Sequence, residues 1–245
     1  MKVVGVIPAR FASTRFMGKP LAMIAGKPMI QWVIEGVRQS KKLDHLVVAT
    51  DDNHIFDVVK RLGVDCRMTS SDLPSGTDRI WSAVRQENWD LIINIQGDEP
   101  LVRGELVDSL ISPFLSLGAD CDMATLGRLI KHEELNSPTV VKVVLDKESN
   151  GLYFSRFGIP YSRGKAGEMV NGCLAHVGMY AYTKEAIKKI CSHPICELET
   201  GESLEQLRAL YLGLKIKVIQ TCFESVGVDI PSDIERVERI MLNGK

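Results

Sequence analysis

The sequence predicts an α/β fold with three layers, in which helices cover both faces of a doubly wound, mostly parallel sheet. Short apolar segments that resemble buried strands alternate with segments whose apolar residues recur at helical spacing. From about residue 120 the helices become fewer, which predicts a smaller inserted sheet region at approximately 130–185. We expect a single domain, 1–245, that contains this insertion.

The individual elements follow from local patterns along the chain. In the first half, the predicted strands are 3–7, 46–50, 64–68 and 91–95. Predicted helices begin at Pro28, at Asn53, after a cap at Thr77 and after the turn at 96–100. In the second half, we expect strands at 123–126, 140–145, 152–155, 177–182 and 215–221 and helices at 184–191, 203–212 and from 232 onward.

Composition limits the possible partners and compartment. Thirty basic and 31 acidic residues create no overall field for nucleic acid, and no apolar stretch reaches membrane-spanning length. We therefore expect neither a nucleic-acid partner nor membrane insertion. Six scattered cysteines favour a reducing, cytoplasmic setting. Cys191, His193 and Cys196 could begin a zinc site, but no matching second pair lies nearby.

The loop after the first strand is a candidate phosphate-binding site. Arg10, Arg15 and Lys19 follow the carboxyl end of that strand, the edge at which open α/β sheets bind ligands. The loop has neither the P-loop spacing nor the dinucleotide-binding glycine pattern. The residues alone leave two interpretations open, a triphosphate site and a solvated basic loop.

Two aspartates are candidate magnesium ligands. Asp98 follows the strand at 91–95 and would lie at the same sheet edge as the basic loop, although an ordinary turn is the alternative. Asp229 is a second candidate, with the start of the last helix as its alternative role.

Several motifs, in order along nearly the whole chain, resemble the 3-deoxy-manno-octulosonate cytidylyltransferase family. They are Ile7-Pro8-Ala9-Arg10, the loop Ser13–Pro20, Ser75-Gly76-Thr77-Asp78-Arg79, the segment Asn94–Pro100, Tyr153-Phe154-Ser155-Arg156 and Leu204-Glu205-Gln206-Leu207-Arg208.

The resemblance implies a fold like that of the nucleotide-diphospho-sugar transferases, a homodimer and a Mg²⁺ cofactor. The implied reaction transfers a cytidylyl group from CTP to a 3-deoxy-octulosonic acid, releases pyrophosphate and supplies lipopolysaccharide biosynthesis. The implied nucleotide contacts are Ala9, Arg10, Ser13, Arg15, Lys19, Ser75 and Gly76, with Arg15, Lys19 and Asp98 catalytic and Asp98 and Asp229 binding metal. The implied sugar-acid contacts are Arg79, Gln96, Arg156, His176, Tyr180, Glu205 and Gln206.

Other functions remain as alternatives. The acceptor could be the 8-amino-3,8-dideoxy analogue or a neuraminic-type acid. More distant alternatives are a metal-dependent glycosyltransferase and a non-catalytic nucleotide sensor.

Overall fold

A computed structural model describes residues 1–12, 15–116, 121–163 and 172–243. The chain divides into two compact units. The first unit combines Met1–Ser109 with Ser225–Lys245, and the second unit is Leu110–Glu224. The expected insertion at 130–185 lies within the second unit, and the single-domain organisation stays a prediction.

The first unit contains a parallel sheet and a short hairpin. Its strands are β1 (Val3–Ala9), β2 (Met23–Ile24), β3 (Lys27–Pro28), β4 (His45–Thr50), β5 (Asp65–Met68) and β6 (Leu91–Asn94). Its helices are α1 (Met29–Val37), α2 (Asn53–Arg61), α3 (Gly76–Val84) and, near the end of the chain, α8 (Asp233–Asn243), while α4 (Gly104–Ser116) contains the division between the units.

The parallel strands of the first unit follow the order β6-β1-β4-β5. The central strand β1 is almost wholly buried, as its continuous apolar sequence predicts. Val6 pairs with Val47 on one side and with Asn94 on the other. Because the strands are parallel, the loops after β1, β4 and β6 leave the sheet at one edge.

The second unit is richer in antiparallel pairing. Its strands are β7 (Met123–Leu129), β8 (Lys142–Leu145), β9 (Gly151–Ser155), β10 (Cys173–Thr183) and β11 (Ile216–Thr221), and its helices are α5 (Lys184–Ser192), α6 (Glu197–Glu202) and α7 (Gln206–Tyr211). Strand β10 is antiparallel to β7 and β8, β8 is antiparallel to β9, and β11 is parallel to β7. The α/β fold class with a mostly parallel sheet is confirmed.

The predicted cap of α3 is wrong, and two elements were not predicted. The cap of α3 is Ser75 instead of Thr77, because the Ser75 hydroxyl accepts a hydrogen bond from Asp78 N–H at 3.1 Å. The helix predicted at 203–212 is present as the shorter α7, while α6 before it was not predicted; Ser203, between the two, takes a left-handed backbone with φ +52°. The hairpin of β2 and β3 was not predicted, because its two-residue strands are too short to show a period.

Candidate active site

The basic loop is closed by contacts between its two ends. Gly18 N–H donates to the Phe11 carbonyl at 2.9 Å. Gly18 has φ +67°, and a Cβ there would lie 3.2 Å from the Phe11 ring, so the turn requires glycine. Lys19 then begins a short 3₁₀ helix, Lys19–Leu21, which fixes its backbone.

A buried ion pair holds the base of this loop. The Asp51 carboxylate, just after β4, accepts from Phe11 N–H at 3.3 Å and from Arg79 Nη2 at 2.9 Å. Arg79 Nη1 also donates to Thr69 Oγ1 at 2.5 Å. The Arg79 guanidinium therefore binds Asp51 and Thr69 beneath the loop. The assignment of Arg79 to the sugar acid stays a prediction. Sequence reasoning did not single out Asp51.

The basic loop and both candidate metal ligands meet in the first unit. Lys19 Nζ lies 2.7 Å from Asp98 Oδ2 and 3.6 Å from Asp229 Oδ1. Arg15 pairs with Asp229 through Nη1 at 3.2 Å and Nη2 at 3.0 Å. Two carboxylates separated by more than one hundred residues of chain therefore face the same cations.

Backbone contacts hold the two aspartates in place. Val228 N–H donates to the Asp98 carbonyl at 2.9 Å. The Asp233 carboxylate accepts from Asp229 N–H at 2.8 Å and from Ile230 N–H at 3.0 Å. These backbone hydrogen bonds lower the pKa of Asp233. A Cβ on Gly97 would lie 2.8 Å from the Pro8 carbonyl oxygen, so glycine lets the Asp98 turn approach the end of β1.

The carboxylates suit a magnesium ion by number and chemistry. Mg²⁺ is commonly held by one or two carboxylates and completes its shell with phosphate oxygens and water. The side chains of Asp98 and Asp229 are 32% and 52% exposed, which leaves room for such further ligands. Within the described ranges, no group of three or more His, Cys, Asp or Glu side chains could hold a metal ion.

The other predicted nucleotide contacts lie near the ends of β1 and β6. Ala9 is buried, Arg10 is exposed, and Gly76 approaches the Pro8 ring. The Ser75 hydroxyl donates to Asp78 Oδ2 at 2.7 Å, besides capping α3. Gln96, a predicted sugar-acid contact, follows β6, and its Nε2 donates to Asn94 Oδ1 at 3.4 Å. Ser13 lies outside the described residues.

Three predicted sugar-acid contacts form one aromatic and polar cluster in the second unit. The rings of His176 and Tyr180 are 5.5 Å apart, and Tyr180 OH donates to Gln206 Oε1 at 3.1 Å. Gln206 Nε2 is buried and has no hydrogen-bond partner among the residues the structure describes. That orphan donor could bind an oxygen of a ligand.

Thr125 determines which nitrogen of His176 carries the proton. The Thr125 hydroxyl has one proton to donate, and the carbonyls of Val177 and Met179, at 3.3 and 2.8 Å, can only accept it. The 2.9 Å contact between Thr125 Oγ1 and His176 Nε2 therefore has Nε2–H as its donor. His176 Nδ1 is left as an acceptor.

Two predicted sugar-acid contacts remain. Arg156 is held by hydrogen bonds to a neighbouring turn, whereas Glu205 is exposed. Arg156 Nε donates to the Glu202 carbonyl at 2.8 Å, while the Glu202 carboxylate accepts from Arg156 N–H at 2.9 Å. Beneath this turn, the buried ammonium of Lys142 donates to the carbonyl of Arg156. Glu205 is exposed and immediately precedes α7.

A buried ion pair that sequence reasoning missed joins α6 to α7. Arg208 Nε and Nη2 donate to the Glu199 carboxylate at 2.6 and 2.7 Å. Arg208 belongs to the motif that carried the family resemblance, yet its side chain is 3% exposed and serves the fold.

The neutral state of His176 leads to a pH prediction. Burial lowers the pKa of His176 to about 3, whereas an unfolded chain takes up this proton near 6.5. Between these values the unfolded state binds more protons, so the free energy of unfolding falls as the pH is lowered from 6.5 toward 3. The expected contribution is at most about 1.4 kcal/mol per pH unit.

The measurement is urea unfolding of wild type and His176→Gln at several pH values. Gln retains a polar group of similar reach but does not titrate, so the variant should lose this part of the slope. Identical pH slopes for the two proteins would contradict the prediction.

Comparisons with known proteins identify the family to which this chain belongs. A family model described as Cytidylyltransferase matches residues 4–216. The chain is 52% identical to a 3-deoxy-manno-octulosonate cytidylyltransferase of Bdellovibrio bacteriovorus, over 98% of both chains. It is 46% identical to an 8-amino-3,8-dideoxy-manno-octulosonate cytidylyltransferase of Shewanella frigidimarina, over 97% of this chain and 98% of that relative.

A solved structure is similar over the full length of both chains. The structure of a CMP:2-keto-3-deoxy-manno-octonic acid synthetase complexed with CTP has a TM-score of 0.93 and 39% sequence identity to this chain, covering 100% of each. This chain belongs to the cytidylyltransferases, and among them to the 3-deoxy-manno-octulosonate cytidylyltransferase family.

Proposed function

We propose that this enzyme transfers the cytidylyl group of CTP to the anomeric hydroxyl of a 3-deoxy-manno-octulosonic acid. The observation that carries the proposal is the meeting of Lys19 with Asp98 and Asp229, at 2.7 and 3.6 Å. Cations that bind phosphates and oxygens that bind a metal lie together there, as a metal–triphosphate complex requires.

In this reaction the hydroxyl oxygen bonds to the α-phosphorus of CTP, and the bond from that phosphorus to the bridging oxygen of pyrophosphate breaks. Arg10, Arg15 and Lys19 hold the triphosphate, and Arg15 and Lys19 neutralise the charge that the leaving pyrophosphate gains. Asp98 and Asp229 would hold Mg²⁺, which supplies Lewis-acid stabilisation of the phosphate oxygens when bound. The hydroxyl proton leaves to solvent.

The acceptor is bound in this proposal by polar side chains of the second unit. Arg156 provides positive charge for the sugar carboxylate, and Glu205 provides a further polar group. His176 Nδ1 can accept and Gln206 Nε2 can donate a hydrogen bond, and sugar hydroxyl groups can serve as partners for both. Tyr180 orients Gln206 through its 3.1 Å hydrogen bond.

The 8-amino-3,8-dideoxy analogue is the second candidate acceptor. The chain is 46% identical to the Shewanella frigidimarina relative that is named for that substrate, and this identity supports the analogue as an acceptor. Measuring kcat/KM for both acids side by side decides between them, since the preferred acid has the higher value.

A pyrophosphate-release assay with CTP, Mg²⁺ and a panel of sugar acids tests the proposal. We expect release only when CTP, the metal and an octulosonic acid are all present. Release with a neuraminic-type acid alone would reassign the acceptor. Binding of CTP without release for any acid would favour a nucleotide sensor, and transfer from a preformed nucleotide sugar would favour a glycosyltransferase.

The cellular setting is part of the same proposal. We place the enzyme in the cytoplasm as a homodimer whose product supplies lipopolysaccharide biosynthesis. Six cysteines scattered through a chain of this size support a reducing compartment. No helix in the described parts of the chain is both long and apolar enough to cross a membrane.

A further inference from the structure

Two distant segments of the first unit are joined immediately beside the candidate metal ligands. Ser225 Oγ donates to Glu99 Oε1 at 2.6 Å. Glu99 follows Asp98 directly, and Ser225 lies four residues before Asp229. A second link joins the same segments, because Val228 N–H donates to the Asp98 carbonyl at 2.9 Å.

The burial of Glu99 is difficult to explain by stability alone. Glu99 is 7% exposed, and its Oε2 has no hydrogen-bond partner in the described part of the chain. Burying a carboxyl group costs free energy unless hydrogen bonds compensate fully, and here one oxygen is left without them. The arrangement therefore suggests that Glu99 has a role other than stabilising the fold.

The segment after Ser225 is firmly packed, so a contact at Ser225 can affect Asp229. Val226 and Val228 are buried in one apolar cluster with Ile24, Met29 and Val237. Because Val226 and Val228 lie between Ser225 and Asp229 in this packed segment, we expect a displacement of Ser225 to displace Asp229 as well. Lys19 Nζ, at 2.7 Å from Asp98 and 3.6 Å from Asp229, offsets the repulsion between the two carboxylates, while the Glu99–Ser225 hydrogen bond joins the backbone segments that carry them.

We propose that Glu99 and Ser225 form a positioning pair, whose hydrogen bond fixes the separation of the Asp98 and Asp229 carboxylates so that both bind one divalent cation. The inference rests on the proposed function, because it assigns these residues to the preparation of its metal site. Neither Glu99 nor Ser225 needs to touch the cation or the substrates.

Ser225→Ala, which removes only the hydroxyl, tests the pair, and Mn²⁺ serves as the spectroscopic probe. Binding of Mn²⁺ in the presence of CTP is measured by electron paramagnetic resonance. We expect Ser225→Ala to weaken Mn²⁺ binding by about 10-fold, the effect typical of losing a residue that orients a metal ligand. Ser225→Thr, which restores a hydroxyl, should recover most of the affinity.

Two further measurements separate positioning from a general loss of structure. CTP binding in EDTA should be unchanged in Ser225→Ala, because the cations of the basic loop remain. The matched control is Ser109→Ala, which also loses a serine hydroxyl hydrogen bond, that to the Leu106 carbonyl at 2.7 Å, and should keep wild-type Mn²⁺ affinity.

Unchanged Mn²⁺ affinity in Ser225→Ala, whatever its thermal stability, would overturn the positioning role. The proposed function would survive that result if wild type released pyrophosphate. Absence of Mn²⁺ binding by wild type would instead overturn the positioning role and the metal site together.

Discussion

Asp98→Asn is expected to leave the chain folded and to lower pyrophosphate release by about 1000-fold, which corresponds to about 4 kcal/mol of lost transition-state stabilisation. Asparagine keeps an oxygen that can accept from Lys19 Nζ, so the 2.7 Å contact need not break. The change removes the negative charge that a divalent cation requires. Steady-state kinetics at saturating CTP and Mg²⁺ measure the effect.

The matched control for this change is Asp57→Asn on the exposed face of α2. It removes the same charge from the first unit and should leave kcat unchanged. Near-normal turnover of Asp98→Asn at saturating Mg²⁺ would refute the metal role of Asp98, provided that its thermal unfolding matches wild type.

Glu199→Gln is expected to destabilise the protein by about 3–5 kcal/mol, because it removes the carboxylate charge that pairs with the buried Arg208 guanidinium. Both oxygens of Glu199 are used by Arg208, at 2.6 and 2.7 Å. Arg208 Nη1 also donates to the carbonyls of Ile190 and His193, both at 3.3 Å. Urea unfolding measures the loss of stability.

Two controls identify the cause. Glu224→Gln breaks the exposed ion pair with Lys131 and should leave the melting temperature nearly unchanged. The double variant Glu199→Leu with Arg208→Met removes both charges and should recover much of the stability. If Glu199→Gln unfolded at the same urea concentration as wild type, the ion pair would contribute little to folding.

The main strands could be predicted, and so could the meeting of the basic loop with Asp98 at one edge of the sheet, because both depend on local patterns in the sequence. A continuous apolar run such as Val3–Ile7 identifies a buried strand, and parallel strands bring their carboxyl ends to one edge. The meeting of Lys19 with Asp98 follows from that rule alone, and the structure confirms it. Asp229 was harder to place, because it follows no strand of the parallel sheet. The residues offered it as a second metal ligand with the start of the last helix as its alternative role, and the family resemblance then implied the metal role.

The contacts that the sequence did not predict are long-range pairs and local breaks. Packing of the folded chain brings together the two buried ion pairs, Asp51–Arg79 and Glu199–Arg208. No spacing rule in the sequence indicates either pair. Ser203 ends α6 with a left-handed backbone, a conformation that is uncommon for non-glycine residues and that no local sequence pattern indicated. The residue assignments within the site stay predictions.

The return of the chain to the first unit after Glu224 has a consequence for biosynthesis. A ribosome delivers the basic loop and Asp98 early, but Asp229 emerges only after the entire second unit has been translated. In the proposed mechanism, a polypeptide released after Lys19 but before Asp229 has the cations for a triphosphate, yet it lacks half of the carboxylate pair. Translation of the whole second unit is therefore a precondition for turnover in that mechanism.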